Sequence, residues 1–254
     1  MNNVKKSIGW ADFTINPIKG LCPVACKDNQ GKEYCYAAGE RGLYKRFKWN
    51  PEIRFEPEVF ADLIKVPAGS KVFIGSTMEL FWDGHPKKWL DLIFYNVKLF
   101  PDITFQFLTK QPQNLPAWSP FPDNCWVGVS VTTSGDMTNA FYGLSGIKAG
   151  KTFISFEPLL GAIGINDHVP LKNAWLDWVI IGQKTPPNQK TTPKIEWIKE
   201  IVESCDKANI PVFLKNNLMN MFVYNQQSIM LPHWALNRNG EGGLRQEFPC
   251  LNHR

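Results

Sequence analysis

Three of the chain's six cysteines, Cys22, Cys26 and Cys35, fall within the eighteen residues "GLCPVACKDNQGKEYCYA" (20–37). Three residues separate the first pair and eight the second, and Tyr34 and Tyr36 flank the last cysteine. A cysteine that only packs is a small hydrophobe among other hydrophobes. This segment instead carries Lys27, Asp28, Asn29, Gln30, Lys32 and Glu33, so core packing does not account for it. Thiolates are soft ligands, and the two centres that gather them at this density are zinc sites and iron–sulfur clusters. Structural zinc takes four ligands, commonly from two Cys-x2–4-Cys hooks. Cys22 and Cys26 make one hook, no second follows, and His85, His168, His233 and His253 all lie outside the segment. Zinc would therefore draw a ligand from far along the chain. An iron–sulfur cluster on three thiolates keeps one iron open, which is useful where a ligand is to be activated.

A loop of either kind has to hang from a rigid frame. Six short apolar runs, "KVFIGS" (71–76), "ITFQFLT" (103–109), "CWVGVSV" (125–131), "TFISFEP" (152–158), "DWVIIGQ" (177–183) and "IPVFLKN" (210–216), are nearly continuous in apolar residues. Continuous runs, as opposed to alternating ones, predict strands buried on both faces of a parallel sheet. An earlier strand is expected within "IGWADFTINP" (8–17). Between the runs, "PEVFADLIKV" (57–66), "PKKWLDLIFYNVKLF" (86–100) and "PKIEWIKEIVESCDKAN" (193–209) open on proline and repeat apolar residues at three and four, which predicts helices. The last puts Ile195, Ile198, Ile201 and Val202 on one stripe, with Cys205 beside it as a small buried hydrophobe. The proline-rich stretches 111–124 and 184–193 read as loops.

This alternation predicts an α/β chain of one domain over 1–254, with a βα-repeating core at 8–216 and a C-terminal extension at 217–254. The expected architecture is a partial or closed parallel βα-barrel. A doubly wound sheet is the second choice, because no G-x-G-x-x-G follows a strand. Barrel chemistry gathers at the C-terminal strand ends. Those ends offer Ser76, Thr77, Glu79, Thr109, Lys110, Ser130, Thr132, Glu157, Gln183, Lys215 and Asn216, while Cys125 starts its strand at the opposite end.

With the three-cysteine loop placed after a first strand, and an aromatic before the last cysteine in "EYCY", the chain resembles the radical S-adenosylmethionine (SAM) enzymes. Their usual loop is Cys-x3-Cys-x2-Cys; here the first spacing is the same and the second is longer by six. The blocks "INPIKGLCP", "CYAAGERGLYKRF", "RFEPEVF", "STMELF", "FQFLTKQP", "WVGVSVTT", "FISFEPLLG" and "DWVIIGQ" are similar, in order, to an uncharacterised radical-SAM-like family of phages and bacteria, over roughly 8–216. The resemblance implies a TIM-barrel-like fold and a 4Fe–4S cluster on Cys22, Cys26 and Cys35. It implies SAM bound at the open iron and cleaved to methionine and a 5′-deoxyadenosyl radical, with a reductant such as flavodoxin or ferredoxin as partner. The cofactor supplies such radical chemistry and the protein orients it. By the same resemblance Tyr36, Ser76, Thr77, Glu79 and Ser130 are the expected contacts to SAM; Lys110 is expected to pair with a carboxylate of SAM or with Glu157, and Glu157, a carboxylate at a strand end, to meet SAM or the substrate. Ser76 and Thr77 stand where the methionine amino group is met, although the family's Gly-Gly-Glu is absent there, and Ser130 with Thr132 where the ribose is met. Helix capping for Ser76 and a turn role for Thr132 are the structural alternatives.

The segment "RGLYKRFKWNPEIRF" (41–55) interleaves Arg41, Lys45, Arg46, Lys48 and Arg54 with Tyr44, Phe47 and Trp49. Basic residues hold phosphates and aromatics stack bases, so nucleic acid is the substrate this patch suggests; a solvated helix packed on its aromatics is the plainer reading. The net charge of +5, from 28 Lys+Arg against 23 Asp+Glu, is compatible with a polyanionic partner. A non-catalytic, zinc- or cluster-stabilised nucleic-acid-binding protein is the alternative to an enzyme. No apolar run approaches the roughly 18–20 residues of a membrane span, and "MNNVKKSIGWADF" lacks an apolar signal core. The expected compartment is the cytoplasm, where thiols stay reduced. Cys250, in the extension, is expected to be a surface thiol.

Overall fold

Each apolar run becomes a strand. The computed structural model describes residues 1–24, 26–28, 31, 33–39, 42–165, 175–187, 189–224, 228–238 and 242–250. In chain order the strands are β1 (Asn2–Asn3), β2 (Phe13–Ile15), β3 (Ile18–Lys19), β4 (Arg54–Phe55), β5 (Lys71–Ile74), β6 (Thr104–Thr109), β7 (Cys125–Ser130), β8 (Lys151–Phe156), β9 (Trp178–Ile181), β10 (Val212–Leu214), β11 (Val223–Tyr224) and β12 (Ser228–Ile229). Eight of them form one mostly parallel sheet, so the chain is a mixed α/β protein. Among the described residues no helix is long and apolar enough to cross a membrane.

The chain divides into two compact units, Met1–Val127 with Ile147–Gly150, and Gly128–Gly146 with Lys151–Arg254. In the first, β1 pairs antiparallel with β2, β2 runs parallel to β5 with Ile15 beside Ile74, and β5 runs parallel to β6 with Ile74 beside Phe107. Helix α2 (Lys87–Lys98) follows β5 and buries Leu90, Ile93 and Val97. The stretch Pro57–Lys65 is a 3-10 helix where periodicity predicts an α-helix. Its buried residues explain the difference: Phe60, Leu63 and then Val66 recur at intervals of three, the repeat of the tighter helix. The same spacing buries Pro112 and Leu115 in a 3-10 turn at Pro112–Trp118, inside a stretch that reads as loop.

In the second unit β8, β9 and β10 run parallel, with Phe156 beside Ile181 and Ile181 beside Leu214. Their side chains are buried throughout, as the unbroken apolar runs require. The helix between β9 and β10, Ile195–Ala208, buries Ile198, Ile201, Val202 and Cys205. Ile195 is its first residue and is 38% exposed, so the predicted stripe begins one turn later.

The C-terminal extension is more structured than its glycines suggest. Leu214 N–H donates to the Arg245 carbonyl (2.8 Å) and Glu247 N–H to the Val212 carbonyl (3.0 Å), so residues 245–247 line β10. Arg245, 2% exposed, is held there by Asp206 (2.8 Å) and Glu247 (2.7 Å). Cys125 and Cys205 are buried and Cys250 is exposed.

Candidate functional site

The three cysteines sit on an excursion of the first unit, residues 20–53, whose two ends are tied together. β3 and β4 pair antiparallel, Ile18 opposite Phe55 and Lys19 opposite Arg54. Glu56 joins the ends by accepting from Lys19 Nζ and from Arg54 Nε at 2.7 Å. The Lys19 hydrogen bond is the first cause holding the Glu56 carboxyl below its ordinary range, with the Lys19 and Arg54 charges adding to it against the cost of burial. Gly20 makes the closest approach. Its φ of +113° is in glycine's territory, and a Cβ there would stand 2.4 Å from the Glu52 carbonyl oxygen. The Tyr44 hydroxyl, reaching in from the short helix α1 (Leu43–Phe47), donates to the Gly20 carbonyl.

The long second spacing folds as a small hairpin. Lys27 bridges Glu33 antiparallel, Tyr34 N–H donates to the Cys26 carbonyl (3.0 Å), and Gly31 N–H closes the turn onto the Asp28 carbonyl (2.8 Å). Gly31 adopts φ +75°, which the turn needs. Cys35 is thereby brought back into a side-chain hydrogen bond with Cys26.

That hydrogen bond is the largest cause lowering the Cys35 thiol, with the Ala38 and Ala37 N–H groups and the Lys110 charge assisting against burial. Cys26 is pushed up by the same bond and by burial. Burial raises Cys22, opposed by N–H groups of Val24 and Glu79, and the Cys35 charge raises it further. Two of the N–H···S contacts measure 3.3 Å, Ala38 to Cys35 and Glu79 to Cys22. Lys110 faces the same thiols: burial pulls its ammonium down, but Tyr34, Cys26 and Glu79 outweigh it and hold the charge. Its Nζ stands 5.7 Å over the Tyr34 ring.

The end of β5 meets the loop through backbone atoms. Tyr36 Oη donates to the Ser76 carbonyl, and the Ser76 hydroxyl exchanges hydrogen bonds with the Asn16 side chain at 3.2–3.3 Å. Asn16 Oδ1 also accepts from Thr77 N–H (3.3 Å). Asn16 is a site residue that reading strand ends by charge passes over, although it follows β2 more directly than Ser76 follows β5.

Glu79 is buried with both oxygens engaged. Oε1 accepts from the Thr109 hydroxyl (2.6 Å) and Phe81 N–H (3.2 Å), and Oε2 from Lys110 N–H (2.8 Å). Burial raises its carboxyl in spite of these donors. Its carbonyl accepts from His85 Nε2 (2.9 Å), the buried Nδ1 of that ring has no partner among the described residues, and burial lowers the ring's pKa toward the neutral form. Glu79 therefore welds the turn after β5 to the end of β6, and its backbone N–H serves Cys22.

The remaining expected contacts belong to the second unit. Ser130 ends β7 half-buried. Thr132 has a turn role: its N–H (2.8 Å) and hydroxyl (2.9 Å) both donate to Asp136, ahead of α3 (Met137–Ser145). Glu157 is ion-paired with Lys215, and Gly182 packs so closely on the pair that a Cβ would lie 2.9 Å from Lys215. Gln183 donates through Nε2 to the Asn217 carbonyl and to Asn220 Oδ1 (2.7 Å). In the basic segment, Tyr44 packs inward, Arg54 is ion-paired, and Lys45, Arg46, Phe47, Lys48 and Trp49 face solvent; Arg41 lies outside the described residues.

The site is thus a three-thiol loop leaving the C-terminal end of the first parallel strand of an α/β sheet, flanked by one lysine and a clamped carboxylate. Among the described residues no three His, Cys, Asp or Glu side chains converge on one metal-ion position. The chain belongs to the family described as protein of unknown function (DUF5131), whose profile covers residues 5–228. Comparison with curated proteins gave no match.

Proposed function

We propose that the protein is a radical SAM enzyme, with Cys22, Cys26 and Cys35 holding a 4Fe–4S cluster and the sheet forming a partial or closed βα-barrel. One observation carries this reading: three thiols within electrostatic reach of one another, on one loop, with backbone N–H groups directed at two of the sulfurs. The donor set fits the group. All three are soft, a fourth protein ligand is not needed, and N–H···S contacts with a nearby cation compensate the negative charge that thiolates bring. A cluster also meets its thiolates at separate irons, so the sulfurs need not converge on one point as around zinc.

When bound, the cluster would supply the electron that cleaves SAM to methionine and a 5′-deoxyadenosyl radical. The chain's own residues do the holding. Lys110 offers a persistent positive charge to the thiolates or to the SAM carboxylate. Ser76, Thr77 and Tyr36, fixed through Asn16 and the Ser76 carbonyl, present the polar end of β5 to the methionine group. Glu79 positions Lys110 and Cys22 rather than meeting the ligand, since its oxygens are engaged. Within the second unit, Lys215 sets the Glu157 carboxylate.

Anaerobic reconstitution with iron and sulfide tests the reading. The expected result is a broad sulfur-to-iron charge-transfer band, four irons per chain, and 5′-deoxyadenosine from SAM with dithionite or reduced flavodoxin. Alanine at any one of the three cysteines removes the band. Protein with all three cysteines intact that takes up zinc and forms no cluster overturns it.

A further inference from the structure

The helix α1 ends on a residue that few sequences place there. Lys48 adopts φ +50°, ψ +42°, with its N–H returning to the Tyr44 carbonyl, a left-handed turn usually given to glycine. The turn folds Trp49 back over the helix. Trp49 N–H also donates to the Tyr44 carbonyl (3.1 Å), and its ring meets Tyr44 edge-on at 5.3 Å. It then lies beside Phe47, centroids 5.8 Å apart and planes within 22° of parallel. Both rings stay open to solvent, Phe47 53% and Trp49 43% exposed. The Arg46 guanidinium covers one part of Phe47 at 4.8 Å. Lys45, Arg46 and Lys48 are exposed, and none is ion-paired with a described residue.

An aromatic step that exposed would be a liability for a surface with no partner. It is held in place by a left-handed turn and by Tyr44, so little entropy is lost when a flat ring is laid on it. Rings in near-parallel planes, fringed by exposed cations, match a base and its flanking phosphates. They do not match a lipid surface as well, because α1 has only five residues, little more than one turn to lay in an interface. We propose that Phe47 and Trp49, with Lys45, Arg46 and Lys48, form a stacking platform for single-stranded nucleic acid. The platform also has a link to the thiols. Tyr44 supports Trp49 with its ring, and its hydroxyl lies within electrostatic reach of Cys22 and Cys35. As the substrate class of the three-thiol centre, nucleic acid rests on the reading in the previous section; as a binding surface it does not.

The test uses the full chain and fluorescein-labelled single-stranded DNA and RNA of about 12 nucleotides, within the range one stacking groove covers. Anisotropy is followed over a series of salt concentrations. Phe47→Ala with Trp49→Ala is expected to weaken binding roughly 5- to 150-fold, the loss of one stacked base. Trp49→Phe keeps most of the affinity. Glutamine at 45, 46 and 48 lowers the salt slope by about 0.7 for each phosphate contact removed. Absence of binding by the unaltered chain, or binding indifferent to the aromatic variants, overturns the proposal. So does a preference for phosphatidylserine vesicles over the oligonucleotides, or a dimer that the same variants dissociate. The charge-transfer band is recorded on every variant. Oligonucleotide binding without a cluster sinks only the cofactor reading, and a cluster without oligonucleotide binding sinks only this one.

Discussion

Glu79 separates two accounts of one carboxylate. Placed at a strand end beside the thiols, it reads from sequence as a partner for a cationic ligand. In the structure its oxygens take three donors from the protein, Thr109 Oγ1, Phe81 N–H and Lys110 N–H, inside a 6% exposed side chain. Glu79→Gln keeps the shape but has one acceptor oxygen, so at least one of the donors faces an amide N–H. Leaving a buried donor unsatisfied costs about 1–3 kcal/mol. Glu79→Ala strands all three, and by analogy with breaking a buried polar pair costs about 3–5 kcal/mol. With a urea slope of about 2 kcal/mol per molar, the glutamine variant should lower the midpoint by roughly 0.5–1.5 M. The measurement is a urea titration followed by tryptophan fluorescence and by circular dichroism, whose coincidence tests that a single transition is read. A ligand-binding carboxylate would behave oppositely: its removal would leave the midpoint unchanged or raised and would weaken SAM alone. A glutamine variant within about 0.3 kcal/mol of the parent refutes the clamp.

Three further outcomes follow from the same geometry. Gly20→Ala places a Cβ 2.4 Å from the Glu52 carbonyl at φ +113°; it should cost at least about 2 kcal/mol and speed the reaction of Cys22, Cys26 and Cys35 with a thiol probe. Glu56→Gln should cost about 0.2–1 kcal/mol at neutral pH, since Lys19 and Arg54 are partly exposed. The folded carboxyl lies below its ordinary value, so this stability is present above the unfolded pKa and lost as pH falls through the folded one; parent and variant should therefore converge in acid, and a gap that widens there refutes the assignment. Lys215→Met leaves Glu157 without its cation; because the pair's side chains keep 13% and 24% exposure, the loss is about 1–3 kcal/mol. Glu157→Gln added to it should recover part of the thermal midpoint.

How far the sequence carried depended on what set each feature. The strands were legible because their residues are apolar on both faces, as with Val179 to Ile181, which are fully buried in the sheet. The 3-10 turns were less legible, since apolar spacings of three belong to both helix types and only the flanking prolines hinted at the tighter one. The thiol loop was legible from residue type alone. Glu79 and Asn16 were not, because an ionic or amide group at a strand end looks the same whether it meets a ligand or a neighbouring backbone. Nor was the β10 pairing of residues 245–247, which a long-range hydrogen-bond register decides and local propensity does not.

The stretched spacing between Cys26 and Cys35 is the place where the sequence departs from the usual three-cysteine loop, and its energetic weight can be judged. Going from two intervening residues to eight is two doublings of loop length, about 1.2 kcal/mol of added closure entropy. Against it stand two backbone hydrogen bonds, Tyr34 N–H to the Cys26 carbonyl and Gly31 N–H to the Asp28 carbonyl, each worth about 1 kcal/mol net. A hairpin closes its own ends, so the extra residues leave the separation of the two sulfurs nearly independent of their number. What matters is the pairing of Lys27 with Glu33, which fixes where Tyr34 and then Cys35 re-enter. The same closure operates one level up, where β3 and β4 tie the ends of residues 20–53 and Gly20 allows their contact. The thiols are thus placed by two nested antiparallel closures, and the length between Cys26 and Cys35 is free to vary so long as the inner one holds.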